Sequence, residues 1–593
     1  MKIGSLVAYK GKPAKVIEII GNKYLISVSK DKLKVREKDI RFINEKYEEL
    51  VELEADFSIL EDFYEQTLSL DELTQWLFTE NSPSASWQTF LLVEDSLYFY
   101  WRKKDVFVRP IEQVEKIKED REQKILYEKR QSSFIKRVEQ KTWHKDDLEF
   151  LYDIEKVAFN QSKHSQALKN LNLKSTPEVA HQLLIDIGYW SLKQHPYFQR
   201  NKIELDDIDV EITNNSVARL DLTHLKSYAI DNEDSTDADD ALSIDGDKVW
   251  VHITDVAGFI NKQIDEYAKN RGSTIYTPDT IITMLPSNVL KSLSLGGETS
   301  NTISIGFKFI DNQISDIEVV QAIIKTINIS YDEVDVKITT NDFEKLNNIA
   351  IKHYEFRQNE GAVSLNLPKI NLEYKNDTVI ITAEKNSQAR KMVAEFMVMA
   401  GHVISIFAQD KKIAMPFLSQ GENDFKKIEQ ATLSEQFEMA RNFPKSKTSP
   451  EVSSHSGLGL KSYIRITSPL RRYMDLVAQQ QLLAFLNNKT PLMADELKQI
   501  IHFDNKALSK VRKVSREVIN HTKLLYLKQQ KNKKYSAIVI GNSKKIIFCI
   551  ESLAIVNEIK TKKSFKLDEK IIVKVQEIDI VNSVVEWSIC DND

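Results

Sequence analysis

Residues 228–255 read YAIDNEDSTDADDALSIDGDKVWVHITD, and the interpretation of the whole chain depends on them. Asp231, Glu233, Asp234, Asp237, Asp239 and Asp240 follow one another with no basic residue between them. Their mutual repulsion destabilises the segment unless a cation is bound. Tyr228, Ala229 and Ile230 lead in as an apolar run, and Ala241, Leu242, Ser243 and Ile244 lead out as a second. An Asp245-Gly246 turn followed by the alternating Val249, Val251 and Ile253 predicts a hairpin. The carboxylates therefore belong on a loop suspended between strands, as a pre-organised site for a hard cation requires. Acidic runs are commonly solvated turns. Here the strand-like flanks and the small Ser235, Thr236 and Ala238 keep the acids together. A calcium loop of the EF-hand type needs Gly at its sixth position and Glu at its twelfth; counted from Asp231 these are Thr236 and Leu242, and from Asp237 they are Leu242 and Lys248. Oxygen donors without His or Cys favour magnesium or manganese over zinc.

The segment AIDNEDSTDADDALSI resembles the catalytic signature of the ribonuclease II, or RNB, family of 3′→5′ exoribonucleases, in which an Asp is followed at fixed distances by an Asp and then an Asp-Asp pair. Asp231, Asp237, Asp239 and Asp240 fall on those four positions. VHITDVAGFI from Val251, STIYTPDTIITMLP from Ser273 and SSHSGLGLKSYIRITSPLRRYMDL from Ser453 are similar to further family motifs and come in the family's order. The resemblance covers residues 219–527, with a weaker echo to the C-terminus. It implies hydrolysis of single-stranded RNA from its 3′ end, one nucleotide at a time through a narrow channel, to nucleoside 5′-monophosphates. It also implies Mg²⁺ as the cofactor, with Mn²⁺ as the alternative, held by Asp231, Asp239 and Asp240, with Asp237 completing or orienting the shell. Asp239, Asp237 and Arg471 are the implied catalytic groups, Arg471 as the ligand of the scissile phosphate. Tyr276 sits where the family has a ring stacking near the RNA 3′ end. Arg472 and Glu517 are further implied RNA contacts, Arg472 with a salt-bridge role as its alternative. Gln479 stands where the family usually has His.

Physical chemistry supports several of these positions independently. Stacking on an aromatic face ignores base identity, which suits degradation of any sequence. Arg471 and Arg472 follow Pro469, which predicts that both lie in the first turn of a helix running through Leu482, a place suited to phosphate. Gly457 and Gly459 mark a tight turn whose backbone approaches another group, for which phosphate is a candidate. Residues 391–406 (KMVAEFMVMAGHVISI) carry apolar side chains at helical spacing and read as a core helix.

The chain has 593 residues, with 82 Lys plus Arg against 87 Asp plus Glu, so any RNA path is a local patch rather than a global charge. Cys549 and Cys590 read as reduced cysteines. No apolar targeting segment or membrane span is read from the sequence, and a cytoplasmic monomer with single-stranded RNA as partner is expected. The expected fold class is α+β multidomain. Residues 1–44 read as an SH3-like β-barrel and 45–215 as a helical, winged-helix-like region, with helices at 50–64, 70–78 and 114–139, a strand-like strip at 96–108 and a second helical unit at 176–192. By the resemblance, residues 216–530 are expected to be the RNB catalytic domain, with a basic helix at 506–527. Residues 531–593 read as a degenerate S1-type OB barrel, in which nine lysines from Lys531 to Lys566 face only Glu551 and Glu558. This N-terminal third differs from the two cold-shock barrels of the best-known members and is similar to the cyanobacterial, chloroplast and Deinococcus-type arrangement. Two rival functions are an inactive RNB-fold regulator that binds RNA and a DNA-binding regulator acting through the winged helix; the intact Asp set argues against the first.

Overall fold

In the opening segment, β-branched and aromatic residues alternate with charged ones between Gly-containing turns. Leu6–Tyr9, Lys12–Ile20, Lys23–Val28, Asp31–Arg36 and Arg41–Asn44 accordingly form one antiparallel sheet, with the first strand between the second and the fifth. Val7, Ala14, Val16, Ile26 and Val35 fill its interior. The computed structural model describes residues 1–213, 216–233, 235, 237–422 and 431–590. These fall into two compact units, Met1–Leu148 and Glu149–Asp593.

The first unit continues as a winged helix. Helix Leu70–Phe78 is capped by Ser69 with Glu72 closing a capping box, and helix Pro83–Asp95 is capped by Ser82 with Pro at its first position. Strands Thr67–Leu68, Phe99–Arg102 and Asp105–Val108 form the wing, and Leu73, Leu77, Val93, Phe99, Val106 and Val108 form the core beneath it. Residues 50–64 are not the helix that their charge pattern predicts; apart from a short 3₁₀ turn at Leu60–Phe63 they are irregular. Ser58 donates to the Asp56 carboxylate through both its N–H and its hydroxyl, an alternative to helical bonding, while Leu60 packs into the winged-helix core together with Phe57 and Phe63. The helix predicted from residue 114 begins three residues earlier, as Ile111–Glu139.

In the second unit a seven-stranded sheet carries the acidic segment. Its order is Thr326–Ser330, Ser227–Asp231, Asp240–Asp245, Lys248–Thr254, Ser300–Ile310, Gln313–Ile324 and Leu220–Asp221. The inner pairings are antiparallel and the two outermost are parallel. The predicted hairpin forms in register, with Leu242 opposite Val251 and Ile244 opposite Val249. One face packs Val249, Val251, Ile253, Ile303 and Ile305 against helix Gln388–Asp410, whose Met392, Phe396, Met399, Ala400 and Val403 are buried. That helix is the core element its periodicity predicts. Among the described residues it alone is long and apolar enough to cross a membrane, and it lies mostly buried. The second helical unit appears as Pro177–Asp186, capped by Thr176.

The last five strands pair in the order Ile555–Ile559, Ile546–Ile550, Lys534–Asn542, Lys570–Asp579, Val584–Cys590, a barrel-like sheet around Ala537, Val539, Phe548, Ile550 and Val573. Cys549 and Cys590 are free thiols.

Helix Ala494–Gln529 leads directly into this sheet. Near its start it meets Gly272 so closely that a methyl group there would stand 2.8 Å from the Ala507 Cβ. The same packing encloses Asp504, whose Oδ1 has no hydrogen-bond partner among the described residues. Burial pushes the Asp504 carboxyl up to about 7 against the pull of Arg465. A folded-state value above the ordinary one means the protonated acid suits the fold: its contribution is whole below about pH 4 and is lost as pH rises through about 7. Asp504→Asn is therefore expected to stabilise this unit at pH 8 by about 1–3 kcal/mol and to leave it nearly unchanged at pH 4. Urea denaturation at the two pH values checks this; an equal effect at both would show that the carboxyl titrates alike in the folded and unfolded states, and a loss of stability at pH 8 would show that the carboxylate is paired.

Candidate active site

The chain leaves the sheet at Asp231 and re-enters it at Asp240, so the acids sit on a loop whose ends are fixed by two neighbouring strands. Main-chain bonds pin its second half: Thr254 N–H donates to Asp239 O at 2.9 Å and Leu295 N–H to Ala238 O at 3.0 Å. At the loop's entrance the Asp231 carboxylate accepts from Ser235 Oγ at 2.6 Å and from Asn232 N at 2.8 Å. Asp237 accepts from Ser235 Oγ at 3.4 Å and from the Tyr276 hydroxyl at 3.1 Å. Asp234 and Thr236 lie outside the described residues, and Glu233 is exposed.

Asp239 is buried, and both its oxygens are engaged. Oδ1 accepts from Leu470 N at 3.0 Å and Oδ2 from Arg471 Nε at 2.7 Å. The segment that supplies these donors is braced in turn. Arg472 binds Asp475 and reaches the Ser468 and Thr467 hydroxyls, and Ser468 N–H donates to the same Asp475 oxygen. Arg472 thus forms the salt bridge that was the alternative to an RNA contact, with its side chain still one-third exposed. The helix after Pro469 begins at Tyr473, two residues later than predicted. Arg471 lies in the turn before it and Arg472 is its N-cap, because Asp475 draws Arg472 back and the turn bonds Arg471 N to Ser468 O first. Among the described residues only Nε of Arg471 is hydrogen-bonded, which leaves its two terminal amines available.

The RGSTIY segment is bonded to the same turn, with Thr274 N–H donating to Arg471 O at 3.1 Å and Tyr473 N–H to Gly272 O at 2.9 Å. This brings Tyr276, on the hairpin Ile275–Tyr276 and Ile281–Ile282, over the acid loop. Tyr276 is 44% exposed, so it is not a core residue. Gln479 is fully buried. It accepts from the N–H groups of Val256 and Ala257 and donates to Thr254 O at 2.8 Å, holding the chain just after the hairpin. Glu517 accepts from Asn201 Nδ2 at 2.9 Å and lies 3.9 Å from Lys513; no bond joins it to the acid loop among the described residues. The two glycines also find protein rather than open space. A methyl at Gly459, with φ +64°, would stand 2.5 Å from Arg357 O, and one at Gly457 would stand 2.4 Å from Gln420 Oε1. Their closeness serves chain packing, which corrects the expectation of a phosphate cradle.

Two residues at this site escape the sequence reading. Arg390 reaches the Asn232 side chain, and its guanidinium lies 4.2 Å from the Tyr331 ring. Tyr331 in turn lies within the fields of Asp231, Asp240, Arg390 and Arg471. The available signal was the Arg390-Lys391 pair, the only Lys or Arg before Lys411 in an otherwise apolar helix.

Electrostatics match the crowding. Burial pushes the Asp239 carboxyl up to about 6 in spite of Arg471, and pushes Asp240 up to about 7, with the Asp239 charge adding to it. No hydrogen bond reaches the Asp240 carboxylate among the described residues. Such a set, all carboxylate oxygen and short of compensating charge, fits a hard divalent cation in its chemistry. Among the described residues no three His, Cys, Asp or Glu side chains converge closely enough to enclose one.

Residues 219–488 match the RNB domain family, and residues 114–196 match a double HTH domain. The chain is 27% identical over 520 residues to an uncharacterised ribonuclease of Synechocystis, covering 80% of this chain and 78% of that one. It is 28% identical over 540 residues to the chloroplastic/mitochondrial ribonuclease II of Arabidopsis thaliana, covering 79% and 67%. In fold it is similar to the crystal structure of an active-site mutant of the Dss1 exoribonuclease from Candida glabrata, with a TM-score of 0.67 at 15% identity over 99% of this chain and 98% of that one. The RNB match spans the acid loop, the Tyr276 hairpin and the Arg471 turn together, so residues 219–488 of this chain are an RNB domain, and the chain is similar over most of its length to ribonucleases of the ribonuclease II type.

Proposed function

We propose that the chain is a metal-dependent exoribonuclease that removes nucleotides from the 3′ end of single-stranded RNA and releases nucleoside 5′-monophosphates in the cytoplasm. The observation that carries this reading is the meeting of the carboxylate loop with the Arg471 turn and an exposed Tyr276 ring. The ribonucleases among its relatives support it.

Asp231, Asp237, Asp239 and Asp240 would hold Mg²⁺, or Mn²⁺, which when bound supplies positive charge to the scissile phosphate and a more acidic water. The protein's own groups account for the rest. Arg471 is kept charged: Asp239 outweighs the effect of burial on it. Its free fork meets the phosphate oxygens as charge builds on them. Water adds to the terminal phosphorus, the bond from phosphorus to the preceding 3′ oxygen breaks, and that oxygen takes up a proton. The 5′ phosphate therefore stays with the released nucleotide. Tyr276 stacks on the terminal bases and sets their distance from the acids. Arg390 adds a second cation at the mouth of the loop.

A cavity of about 1020 Å³ along the first turns of helix Gln388–Asp410, lined by Tyr354, Gln358, Asn366, Gln388 and Lys391, is the path we assign to the incoming strand. Residues 531–593, with their lysine strip, are assigned as an S1-type RNA-binding barrel following a catalytic domain at 216–530.

Asp239→Asn is expected to lower cleavage by several orders of magnitude while RNA binding survives. Arg471→Ala is expected to lower kcat by about 10²–10³ with a much smaller change in binding, and Arg471→Lys to restore only part of it. Single-turnover rates on a 5′-labelled oligoribonucleotide, with and without EDTA, check both; RNA binding without metal-dependent mononucleotide release would identify an inactive RNA-binding regulator instead.

Tyr276→Ala is expected to degrade long RNA at nearly the wild-type rate but to stop at a longer final oligonucleotide, because a stacking loss of about 1–3 kcal/mol matters only when few contacts remain. Tyr276→Phe keeps the ring, so its end product should match wild type, with a modest rate loss from the missing bond to Asp237. Denaturing gels of the end products decide; an unchanged length in a folded Ala variant would remove Tyr276 from the RNA path.

A further inference from the structure

The wing of the first unit carries a charge pattern that its fold does not need. In its two strands Tyr100 stands opposite Phe107 and Arg102 opposite Asp105, so these side chains share one face, while Phe99, Val106 and Val108 turn inward to the core. Tyr100 and Phe107 pack ring on ring, with centroids 5.1 Å apart. Arg102 lies 5.7 Å from the Phe107 ring and Arg109 4.6 Å from the Tyr100 ring. Lys103 and Lys104 form the two-residue turn, and both are exposed. Lys103 sits at φ +64°, a conformation that Gly or Asn adopts at lower cost, so placing charge at the tip works against the turn.

From Ser96 to Arg109 there are four cations and a single carboxylate, Asp105. Among the described residues none of the four forms an ion pair, and the buried Arg109 Nε has no hydrogen-bond partner. An arginine lying on an aromatic ring is held in place without being neutralised, so its fork stays available for a phosphate oxygen. A row of such groups along a ribbon, spaced by rings, matches the alternation of phosphate and base in a single strand.

We propose that this wing face is a second RNA-binding site, with Arg102, Lys103, Lys104 and Arg109 on successive phosphates of a single strand and the Tyr100–Phe107 pair as the platform beneath. The ligand class rests on the exoribonuclease reading, whereas the site itself rests on the wing alone and is tested without catalysis.

The test uses the full-length protein in EDTA, with fluorescence anisotropy of a labelled, unstructured oligoribonucleotide of about 20 nucleotides. The variant Arg102→Gln, Lys103→Gln, Lys104→Gln is compared with a control that removes an equal charge from exposed lysines of the barrel, Lys30→Gln, Lys32→Gln, Lys34→Gln. The wing variant should bind at least about 10-fold more weakly at 0.1 M salt, and the slope of log Kd on log salt should fall by about two, as loss of three phosphate contacts requires. The control should bind like wild type. An unchanged affinity and slope in a wing variant whose circular dichroism melt matches wild type would overturn the proposal, as would an equal loss in the control. A loss seen with duplex DNA and absent with the single strand would also overturn it, making the wing a duplex reader. An enzyme inactive toward RNA that still showed the wing-dependent loss would sink the exoribonuclease reading and leave this site standing.

Discussion

The bond between Asp239 and Arg471 is the constraint on which the rest of the second unit depends. Asp239 is a carboxylate with almost no access to water, at the point where a loop of like charges rejoins a sheet. Left alone it would cost several kcal/mol or give up its charge. The turn before helix Tyr473–Leu486 answers this with one main-chain N–H and one guanidinium, both taken from residues more than two hundred positions away. The pair closes the fold at that point, and it also brings to the edge of the acid loop a cation whose two terminal amines have no partner among the described residues. Removing the arginine would leave the buried acid unpaired, a larger penalty than the pair itself contributes.

That one pair cannot neutralise the whole set. Among the described residues no hydrogen bond reaches the Asp240 carboxylate, which is pushed toward neutrality by its surroundings, and Arg390 contributes a cation through Asn232 rather than through a carboxylate. The loop is thus held by its two strands, by main-chain bonds from Thr254 and Leu295, and by Gln479 behind the hairpin, all of which lie outside the acids. Stability supplied by the scaffold allows repulsion to persist at the site, the usual arrangement where function and local stability conflict. Gln479 illustrates the point. Buried among three main-chain partners, it does by hydrogen bonding what its position requires, and its departure from the family's histidine leaves the surrounding motif undisturbed.

Much of this was legible in the sequence because period and composition report burial directly. The barrel strands, the hairpin after the acids and the helix Gln388–Asp410 follow from alternation or helical spacing alone. What was not legible depends on partners distant in the chain. Residues 50–64 carry a helical charge pattern, yet Phe57, Leu60 and Phe63 are taken up by a core built from later residues. Gly457 and Gly459 signal close approach, but nothing local says that the approaching groups are Gln420 and Arg357 O. Arg471 and Arg472 are neighbours of one residue type, and only the position of Asp475 divides them into a presented side chain and a brace. Glu517 reads as an exposed helical acid and turns out to be engaged by Asn201, a residue of a region that shares no motif with it.

The same long-range dependence joins the parts of the site into one mechanical element. The Tyr276 hairpin hangs from the Arg471 turn through Thr274, and the Tyr276 hydroxyl holds Asp237, while Arg471 holds Asp239. If Tyr276 stacks on a base as proposed, that base rests on a structure already bonded to two of the four carboxylates. The ring's position and the acids' positions cannot be set independently. On the proposed reading, stacking would contribute little energy by itself, yet it would act through two hydrogen bonds on the groups assigned to the reacting phosphate. Under that proposal, recognition and catalytic alignment would be one requirement, set by a ring, a turn and a loop that lie far apart in the chain and are bonded to one another in the fold.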